Sequence, residues 1–279
     1  METSKKNTTR PPILVTGGTG TLGRQVVARL RSSGQPVRIL GRHSSEVDAG
    51  AELVLADLAT GEGVDAALSG VEVVVHCAGS AKGDDLKART LVDAAARAGV
   101  RHIVYISVVG ADATPIEGRI DRAMFGYFGA KHAAERVIAE SGIPWTTLRA
   151  TQFHDLTFKT LEQLAKLPVM PIFSGFSFQP VDSGEVADRL VELALGDPAG
   201  LAPAIGGPRV YPMDELARSY LAATNRRRPI MPMPVFGAAA RAQKGGANLA
   251  PDRAVGRRTW EQFLAEKVES DLAERPVAA

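Results

Sequence analysis

Residues 13–23, with the sequence ILVTGGTGTLG, limit what this chain can fold into more than any other stretch. The first four residues are apolar or β-branched and predict a short buried strand. Beyond the glycines, apolar residues recur at helical spacing and predict a helix over residues 21–30. A strand, a glycine turn and a helix in this order form the first half of a βαβ unit.

Three glycines of this run have separable roles. Gly17 permits a tight turn directly after the strand, and Gly20, which lacks a Cβ, lets a pyrophosphate approach the backbone. Gly23 lets the helix pack closely against the sheet, and the helix N-terminus offers free N–H groups to an anion. A purely structural glycine turn is the alternative, but the flanking strand and helix are the context that a dinucleotide site requires. We therefore expect the cofactor to be bound by Gly17, Thr19, Gly20, Thr21, Leu22 and Gly23.

The first half of the chain continues as alternating strands and helices. Further strands are predicted over residues 36–40, 52–56, 71–77, 100–107 and 145–148, and helices over residues 84–98 and 125–140. This alternation indicates an α/β fold of the Rossmann type, with a doubly wound parallel sheet.

The second half of the chain is less regular. Residues 167–181 are rich in Pro, Phe and Gly and predict loops and strands over the sheet, and the Ala/Gly-rich residues 237–246 predict a break. Helices are predicted over residues 183–195, 213–224 and 257–267. We assign residues 1–11 to a disordered tail, residues 12–155 to an NAD(P)-binding domain, and residues 156–279 to a small substrate-facing region that completes the same fold.

Charge and cysteine content exclude several function classes. The formal net charge of +2 gives no basis for a nucleic-acid surface, and no apolar run is long enough to span a membrane. The single cysteine, Cys77, excludes an internal disulfide framework and fits a reducing cytoplasm, and the polar residues 1–12 lack the apolar segment of a secretory signal. No His, Cys, Asp or Glu cluster has metal-ligand spacing. We expect a cytoplasmic monomer or homodimer without a nucleic-acid, membrane or metal partner.

The end of the second strand indicates which cofactor is bound. NAD sites usually place an acidic residue there for the ribose 2′-hydroxyl, whereas a nearby arginine favours the 2′-phosphate of NADP. This chain has Arg42 at that point and no acid before Glu46. Arg42, with Arg24 or Arg38 as a second donor, can make charge-assisted hydrogen bonds to a phosphate. We expect NADP(H), with NAD(H) less favoured; the alternative for Arg42 is a solvated loop charge.

Two further strand ends lie at the edge of the sheet where ligands bind in such folds. Asp57 follows the third strand and can accept a hydrogen bond from the adenine amino group, with Leu58 packing on the ring; a plain turn aspartate is an equal alternative. Ala78 and Gly79 follow the fourth strand, and their small size lets the cofactor lie close to the backbone. These four residues complete the expected cofactor site.

A tyrosine and a lysine four residues apart form the second informative motif. Tyr127 and Lys131 lie on one face of the predicted helix. The neighbouring ammonium favours the phenolate, which makes the phenol a usable proton donor or acceptor opposite a hydride. Ser107, at the end of the fifth strand, can hydrogen bond to the same carbonyl oxygen. On spacing alone, such a Tyr/Lys pair is more often surface than active site.

As a set, these motifs resemble the short-chain dehydrogenase/reductase superfamily. The glycine run, Asp57-Leu58, the strand end His76-Cys-Ala-Gly79 and Tyr127-x-x-x-Lys131 occur in one order. The segments YISVVG (105–110), GIPWTTLR (142–149) and QPVD (179–182) are similar to its atypical NmrA-like, NAD(P)H-binding branch. The likeness covers residues 11–225.

The resemblance implies a Rossmann fold with a small C-terminal region closing over the nicotinamide. It implies that Tyr127, Lys131 and Ser107 are catalytic and that Lys131 also holds the ribose hydroxyls. Some members of the branch reduce quinones, enals or aromatic ethers, and others are redox sensors without known turnover. We expect an NADPH-preferring oxidoreductase that transfers a hydride to a carbonyl, quinone or conjugated alkene; the alternative is a non-catalytic NADP(H) sensor. A nucleotide-sugar epimerase or dehydratase is a third class, for which the short C-terminal half leaves less room.

Candidates for a substrate pocket lie beyond the sixth strand. Gln152 and His154 follow that strand, although a lone loop histidine is more often solvated than functional. Aromatic residues farther along can form an apolar wall, so we expect an apolar or aromatic small-molecule substrate. These residues are Phe153, Phe173, Phe176 and Phe178.

Overall fold

The computed structural model of the chain describes residues 10–44, 50–79 and 83–273. Its strands are β1 (Ile13–Thr16), β2 (Val37–Gly41), β3 (Glu52–Leu55), β4 (Val73–His76), β5 (His102–Val108), β6 (Trp145–Ala150), β7 (Met170–Phe173), β8 (Ser177–Phe178), β9 (Gly200–Leu201), β10 (Tyr211–Pro212) and β11 (Ile230–Met233). Its helices are α1 (Thr21–Ser32), α2 (Val64–Leu68), α3 (Asp84–Ala98), α4 (Arg119–Ala139), α5 (His154–Leu164), α6 (Ser183–Leu195), α7 (Met213–Ala223), α8 (Ala238–Lys244) and α9 (Trp260–Ala273).

A seven-stranded sheet organises these elements. The strand order is β3-β2-β1-β4-β5-β6-β9, and every neighbouring pair is parallel. The order reverses between β1 and β4, and in doubly wound sheets the crevice at this reversal is where dinucleotides bind. The predicted Rossmann-type parallel sheet is therefore confirmed.

Helices cover both faces of the sheet. On one face, α1 and α6 pack together over a core that includes Val15 and Val26. On the other face, α2, α3 and α4 cover a core that includes Leu14 and Ile138. Leu14 and Val15 serve opposite cores because successive side chains of a strand point to opposite faces. Helix α6 and strand β9 come from the second half of the chain, so that half completes the layers of the sheet.

A further core lies outside the sheet, between α5, α7 and α9. Its members include Phe158, Met213 and Trp260. Residues 167–181 contribute β7 and β8, which pair with β11 and β10 in two separate two-stranded sheets. These strands and helices lie at the side of the molecule where β6 ends and α5 begins.

Two helices differ from the sequence-based prediction. Helix α4 begins at Arg119 rather than at residue 125. The sequence did not indicate its first turns because Ile120 and Met124, which are 67% and 40% exposed, do not form a buried apolar face there. Helix α8 occupies part of the predicted break. Its Ala239 and Ala240 are fully buried and the helix packs against α4, so tertiary contact rather than intrinsic pattern fixes it.

Candidate active site

The turn between β1 and α1 is closed by contacts that only glycine permits. Gly17 has a φ of +67°, in the left-handed region, and a Cβ on it would lie 2.8 Å from the backbone of Ala78. A Cβ on Gly23 would lie 2.0 Å from the carbonyl oxygen of Gly17. The tight turn predicted at Gly17 is confirmed, whereas Gly23 packs against the turn itself rather than against the sheet.

The N-terminus of α1 is open to an anion. Gly20 is its N-cap, none of the side chains in the described ranges caps it, and a Cβ on Gly20 would meet only the Gly17 oxygen, at 3.3 Å. Gly20 and Thr21 are exposed and Thr19 is half-buried, while the Leu22 side chain lies in the core and leaves only its N–H group for a ligand. Unsatisfied N–H groups and the helix dipole favour negative charge at this point. The turn therefore fits the pyrophosphate of a dinucleotide.

Replacing Gly23 with alanine is expected to disrupt this turn. The new Cβ must displace the Gly17 carbonyl group, and overpacking of this kind typically costs about 1–3 kcal/mol of folding free energy. We expect a lower Tm. Moving the Gly17 carbonyl also shifts the N–H groups of the turn, and a loss of about 1.4 kcal/mol in their binding to the pyrophosphate would raise the Kd for NADPH about tenfold. Thermal unfolding and nucleotide fluorescence titration measure the two effects.

Gly118→Ala is the matched control for this prediction. Gly118 has a φ of −111°, which any residue adopts, and a Cβ there would meet no atom within 4 Å. If the two variants lost NADPH affinity equally, the close approach at Gly23 would not be what shapes the cofactor turn.

Arg42 lies directly after β2, and its side chain is exposed, as is that of Arg24 in the first turn of α1. Arg38, which the sequence offered as a second phosphate donor, is committed elsewhere. Its guanidinium donates to Glu52 Oε2 at 2.8 Å and to two backbone carbonyl oxygens at 3.0 and 2.6 Å. The suggestion that Arg38 assists at the phosphate is therefore wrong. Glu46 lies outside the described residues.

Arg42→Ala is expected to weaken NADPH binding by about tenfold to a hundredfold, because a hydrogen bond to a charged group contributes roughly 1.5–3 kcal/mol. NADH binding should change little, since NADH has no 2′-phosphate for the guanidinium to meet. Arg101→Ala, directly before β5 and 76% exposed, is the matched control. Equal losses for the two nucleotides in Arg42→Ala would contradict the assignment.

The third strand is followed by a residue already engaged in a turn. Asp57 Oδ1 accepts a hydrogen bond from the Ala59 N–H at 2.8 Å, the geometry of a plain turn aspartate. Leu58 is only 4% exposed and belongs to the core over β2 and α2. The prediction that its side chain packs on an adenine ring is therefore wrong, because the protein core already covers that side chain. The second oxygen of Asp57 keeps its capacity to accept a hydrogen bond.

The fourth strand ends beside the lysine of α4. The Ala78 N–H donates to Thr16 Oγ1 at 3.2 Å, which ties this strand end to β1. A Cβ on Gly79 would lie 3.1 Å from Lys131 Nζ. A glycine at this position therefore leaves room next to the ammonium, and close approach of a ligand to its backbone stays a prediction.

Lys131 is buried, and three acceptors surround its ammonium group. Nζ lies 3.3 Å from Asp84 Oδ2 and donates to the Tyr105 hydroxyl and to the Ile106 carbonyl oxygen, each at 3.2 Å. Burial lowers the pKa of Lys131, and the carboxylate of Asp84 opposes that shift. Sequence reasoning missed Asp84 and Tyr105, since both are far from Lys131 along the chain.

Tyr127 lies on α4 with its ring centroid 5.8 Å from Lys131 Nζ, so the two residues share a face as predicted. The ring is 38% exposed. Burial, followed by the negative charge of Asp84, raises the pKa of Tyr127 to about 12. The expectation of a net lowering of this pKa by Lys131 is wrong, because burial of the phenol and then the charge of Asp84 set the direction of the shift. Tyr127 is a protonated phenol at neutral pH.

Ser107 brings a buried hydroxyl to the same face of the sheet. Its Oγ has no hydrogen-bond partner in the part of the chain that the structure describes. Ser107 and Tyr105 are two residues apart on β5 and so point to the same face, where Lys131 bonds to Tyr105. A buried hydroxyl without a partner costs free energy, and an oxygen of a bound substrate can supply the missing bond.

A buried chain of side chains links the glycine turn to this lysine. Thr16 Oγ1 hydrogen bonds to His76 Nδ1 at 2.6 Å, and the His76 ring stacks on Tyr105 at 5.3 Å between centroids. Burial, with Lys131 as a second cause, lowers the pKa of His76 to about 3, so the imidazole is neutral. The stack therefore connects the end of β1 to Lys131 without adding charge.

The helix that carries Tyr127 and Lys131 is anchored by a second ionic group. Arg149 of β6 donates to Glu135 of α4 at 2.9 and 2.7 Å and lies 2.8 Å from Asp112. Ser107 and Arg149 are neighbours in the β5–β6 register. The ion pairs therefore fix α4 over the strand end at which the candidate catalytic residues lie.

The residues beyond β6 separate into different roles. His154 is fully buried, its Nε2 bonds to the Arg258 carbonyl oxygen at 3.1 Å, and its ring stacks on Phe263. His154 therefore belongs to the core between α5 and α9 and is neither solvated nor a pocket residue. Gln152 does line a cavity, which lies between α5 and α7.

Three of the four predicted aromatic residues come together. Phe176 is buried beside Phe125 of α4, and Phe173 and Phe178 pack against the same cluster. Phe153 instead packs against the core under α1 and α6, so its place in the predicted apolar wall is wrong.

Within residues 10–44, 50–79 and 83–273, no group of three or more His, Cys, Asp or Glu side chains is arranged to hold a metal ion. None of the helices within those ranges has the length and apolar character that a membrane crossing requires.

Comparison with known proteins yields matches over most of the chain. The sequence profile of a family described as NAD(P)H-binding matches residues 17–197. The chain is 32% identical over 202 residues to (4-alkanoyl-5-oxo-2,5-dihydrofuran-3-yl)methyl phosphate reductase of Streptomyces griseus. The matched region covers 70% of this chain and 68% of that protein. It is 25% identical over 240 residues to the photosystem II assembly factor Ycf39 of Trieres chinensis, in a region that covers 80% of this chain and 72% of that protein. The chain spans 20% of the length of three mycobacterial relatives.

A solved structure shares the fold along nearly the whole chain. The NADPH-dependent quinone oxidoreductase QOR2 of Escherichia coli, crystallised with NADPH, superposes with a TM-score of 0.75 at 19% identity. The match covers 93% of this chain and 99% of that chain. At this identity the likeness shows the fold.

Proposed function

Because the chain belongs to the NAD(P)H-binding family, we propose that it is an NADPH-preferring oxidoreductase of the atypical short-chain class. It transfers a hydride to a carbonyl, quinone or conjugated alkene of an apolar or aromatic small molecule. The observation that carries the proposal is the Tyr127 ring, with its centroid 5.8 Å from the ammonium of the buried Lys131; the Ser107 hydroxyl, without a partner in the described ranges, lies on the face of the sheet that Lys131 contacts. The Streptomyces relative, which is named a reductase, supports the same reaction class.

Different parts of the turn and the strand ends bind different parts of the cofactor. The N–H groups of the β1–α1 turn and of the first turn of α1 bind the pyrophosphate. Arg42 binds the 2′-phosphate, and Gly79 leaves room for the ribose beside Lys131. When bound, the reduced nicotinamide supplies a hydride.

Tyr127 supplies the proton that balances the hydride. A phenol with a pKa of about 12 is a weak acid, so it donates once the substrate oxygen has begun to gain negative charge. Ser107 donates a hydrogen bond to that oxygen and orients it toward the phenol. Lys131, held in place by Asp84, lies close enough to stabilise the phenolate that remains. Water then reprotonates Tyr127, and the carbonyl substrate has become an alcohol.

A non-catalytic NADP(H) sensor is the second candidate. The three acceptors around Lys131 match the three donors of an ammonium group, so the lysine is already satisfied within the protein. The Trieres relative is named an assembly factor rather than an enzyme, which supports the same alternative.

The setting in which the protein works is also a proposal. A cytoplasmic location agrees with the presence of a single cysteine, Cys77. Burial raises the pKa of its thiol to about 12, so the thiol stays protonated. Light scattering of the purified protein distinguishes the proposed monomer from a homodimer.

The test of the reductase is NADPH binding followed by turnover. Fluorescence titration measures binding, and loss of the reduced-nicotinamide absorbance measures oxidation against quinones, aldehydes and enals. Binding with turnover of at least one class supports the reductase. Binding without turnover of any acceptor supports the sensor.

A further inference from the structure

A small cavity opens between helices α5 and α7. Its volume is about 110 Å³, and its walls come from α5, α7, the strand β8 and the loop after β6. Leu156 stands at the cavity and is 57% exposed, so the cavity meets the surface and is not a sealed void in the core.

The cavity lies next to the candidate catalytic edge. Gln152, one of its lining residues, follows β6, whose residue Arg149 is paired in register with Ser107 of β5. Phe178, on another wall, packs against the cluster that contains Phe125, two residues before Tyr127 on α4. The cavity is therefore walled by elements that adjoin the strand end of Ser107 and the helix of Tyr127.

The walls offer hydrocarbon contacts. Leu156, Leu161, Met213 and Leu216 are aliphatic, and none of the residues seen to line the cavity is charged. Methionine and leucine side chains adapt to flexible apolar ligands without needing a polar partner.

The polar lining residues are already hydrogen bonded within the protein. Thr157 Oγ1 donates to the Phe153 carbonyl oxygen at 3.0 Å, and Thr160 Oγ1 donates to the Leu156 carbonyl oxygen at 2.8 Å. The Gln152 amide accepts from the Gln179 N–H at 3.2 Å and donates to the Asn248 carbonyl oxygen at 3.3 Å. Polar atoms on the part of a ligand that enters the cavity therefore add little to its binding free energy.

The size of the cavity bears on whether its ligand is an aromatic ring or a hydrocarbon chain. An apolar cavity of about 150 Å³ holds a benzene molecule, and this one is smaller, at about 110 Å³. A flexible saturated chain can fill this space and leave through its open side, whereas a rigid quinone ring must enter whole. We propose that the cavity between α5 and α7 binds the unbranched hydrocarbon chain of the substrate whose reactive group lies at Tyr127. This inference rests on the proposed function and narrows its substrate class to carbonyl or enal compounds with an aliphatic tail.

The test is a homologous series of unbranched aldehydes and 2-alkenals. Each methylene that enters the cavity should raise kcat/KM about fourfold, the factor expected for burial of one CH₂ group. The gain should stop when the cavity is full. A series without any dependence on chain length would overturn the inference even if the protein proved to be a reductase.

Thr160→Trp fills the mouth of the cavity and should bring the ratio of kcat/KM for long and short substrates down toward one. Leu156→Ser, at an exposed position, should reduce the same ratio by removing part of the wall. Lys159→Trp is the matched control, since Lys159 is exposed on the same helix and does not line the cavity. If Lys159→Trp changed the ratio as much as Thr160→Trp did, the cavity would not be where the chain binds.

A binding measurement separates failure of this inference from failure of the proposed function. If no acceptor is reduced, displacement of a fluorescent fatty-acid probe by unbranched alcohols still reports on the cavity. Displacement that strengthens with chain length, and is lost in Thr160→Trp but not in Lys159→Trp, would support the chain site without any turnover. Probe binding that all variants share equally would contradict it.

Discussion

Tyr127→Phe should lower kcat by about 100-fold to 10,000-fold, because a positioned general acid typically contributes that much to a rate. The variant keeps the ring that packs near Lys131 and loses only the hydroxyl that donates the proton. NADPH affinity should remain close to that of the wild type, since the glycine turn and Arg42 bind the nucleotide. Steady-state kinetics and nucleotide titration of the same preparation measure the two quantities.

The pH profile of the wild type gives an independent readout of the same group. Tyr127 donates only while protonated, and its pKa is raised to about 12, so its donor form is present below that value and is lost above it. The rate should therefore hold through neutral pH and fall only in strongly alkaline solution. Tyr220→Phe, in the core between α5 and α7, is the control for loss of a tyrosine hydroxyl elsewhere. Retention of most of the rate in Tyr127→Phe would assign the proton to another donor.

Among the variants considered, Asp84→Asn should lower the free energy of unfolding the most, by about 3–5 kcal/mol, which is the usual result when one partner of a buried ion pair is removed. Asp84 and Lys131 are both buried, with 3.3 Å between Oδ2 and Nζ, so the variant leaves an ammonium without its counterion in a site of low polarity. Denaturant unfolding measures the change in free energy.

The same substitution should also move the pH profile of the reaction. The charge of Asp84 contributes to the raised pKa of Tyr127, so its removal should lower that pKa and bring the alkaline loss of rate to lower pH. A merely structural role for Asp84 would change stability without this shift. Asp85→Asn, one residue along in the same first turn of α3, is the matched control.

The double variant Asp84→Asn/Lys131→Met separates the ion pair from the fold. Because it removes both charges, it should recover much of the stability that Asp84→Asn loses. Failure to recover any of it would mean that Asp84 stabilises the protein through other contacts.

The parts of the fold that depend on neighbouring residues were predictable from the sequence. The strand at residues 13–16 and the turn at Gly17 follow from adjacent apolar residues and a backbone that requires glycine. The alternation of such strands with helices was enough to predict the parallel sheet.

The electrostatics of the site depended on contacts between distant elements, which spacing does not reveal. Tyr127 and Lys131 were found because both lie on one helix, but Asp84, which pairs with the lysine, is on another. The direction of the shift in the Tyr127 pKa was predicted wrongly, because spacing along one helix reveals neither the burial of the phenol nor the charge of Asp84. Arg38 was misjudged for the same reason, since Glu52 on the neighbouring strand holds its guanidinium.

The C-terminal elements were harder to predict because packing, rather than pattern, determines them. The helix at residues 238–244 is short and rich in alanine, and burial of Ala239 and Ala240 against α4 fixes it. The sequence around His154 does not indicate that Trp260 and Phe263, about a hundred residues later, stack on its ring.

The most direct test of the central claim is transfer of deuterium from NADPH labelled at the nicotinamide C4 to an acceptor. With an aldehyde or enal, the proposed reductase should place one deuterium from one of the two labelled faces on a carbon of the product, detected by mass spectrometry, and Tyr127→Phe should abolish its appearance within the same assay time. If labelled NADPH bound tightly, no aldehyde or enal gained deuterium and no quinone oxidised the nucleotide, the protein would be a nucleotide-binding sensor and not a reductase.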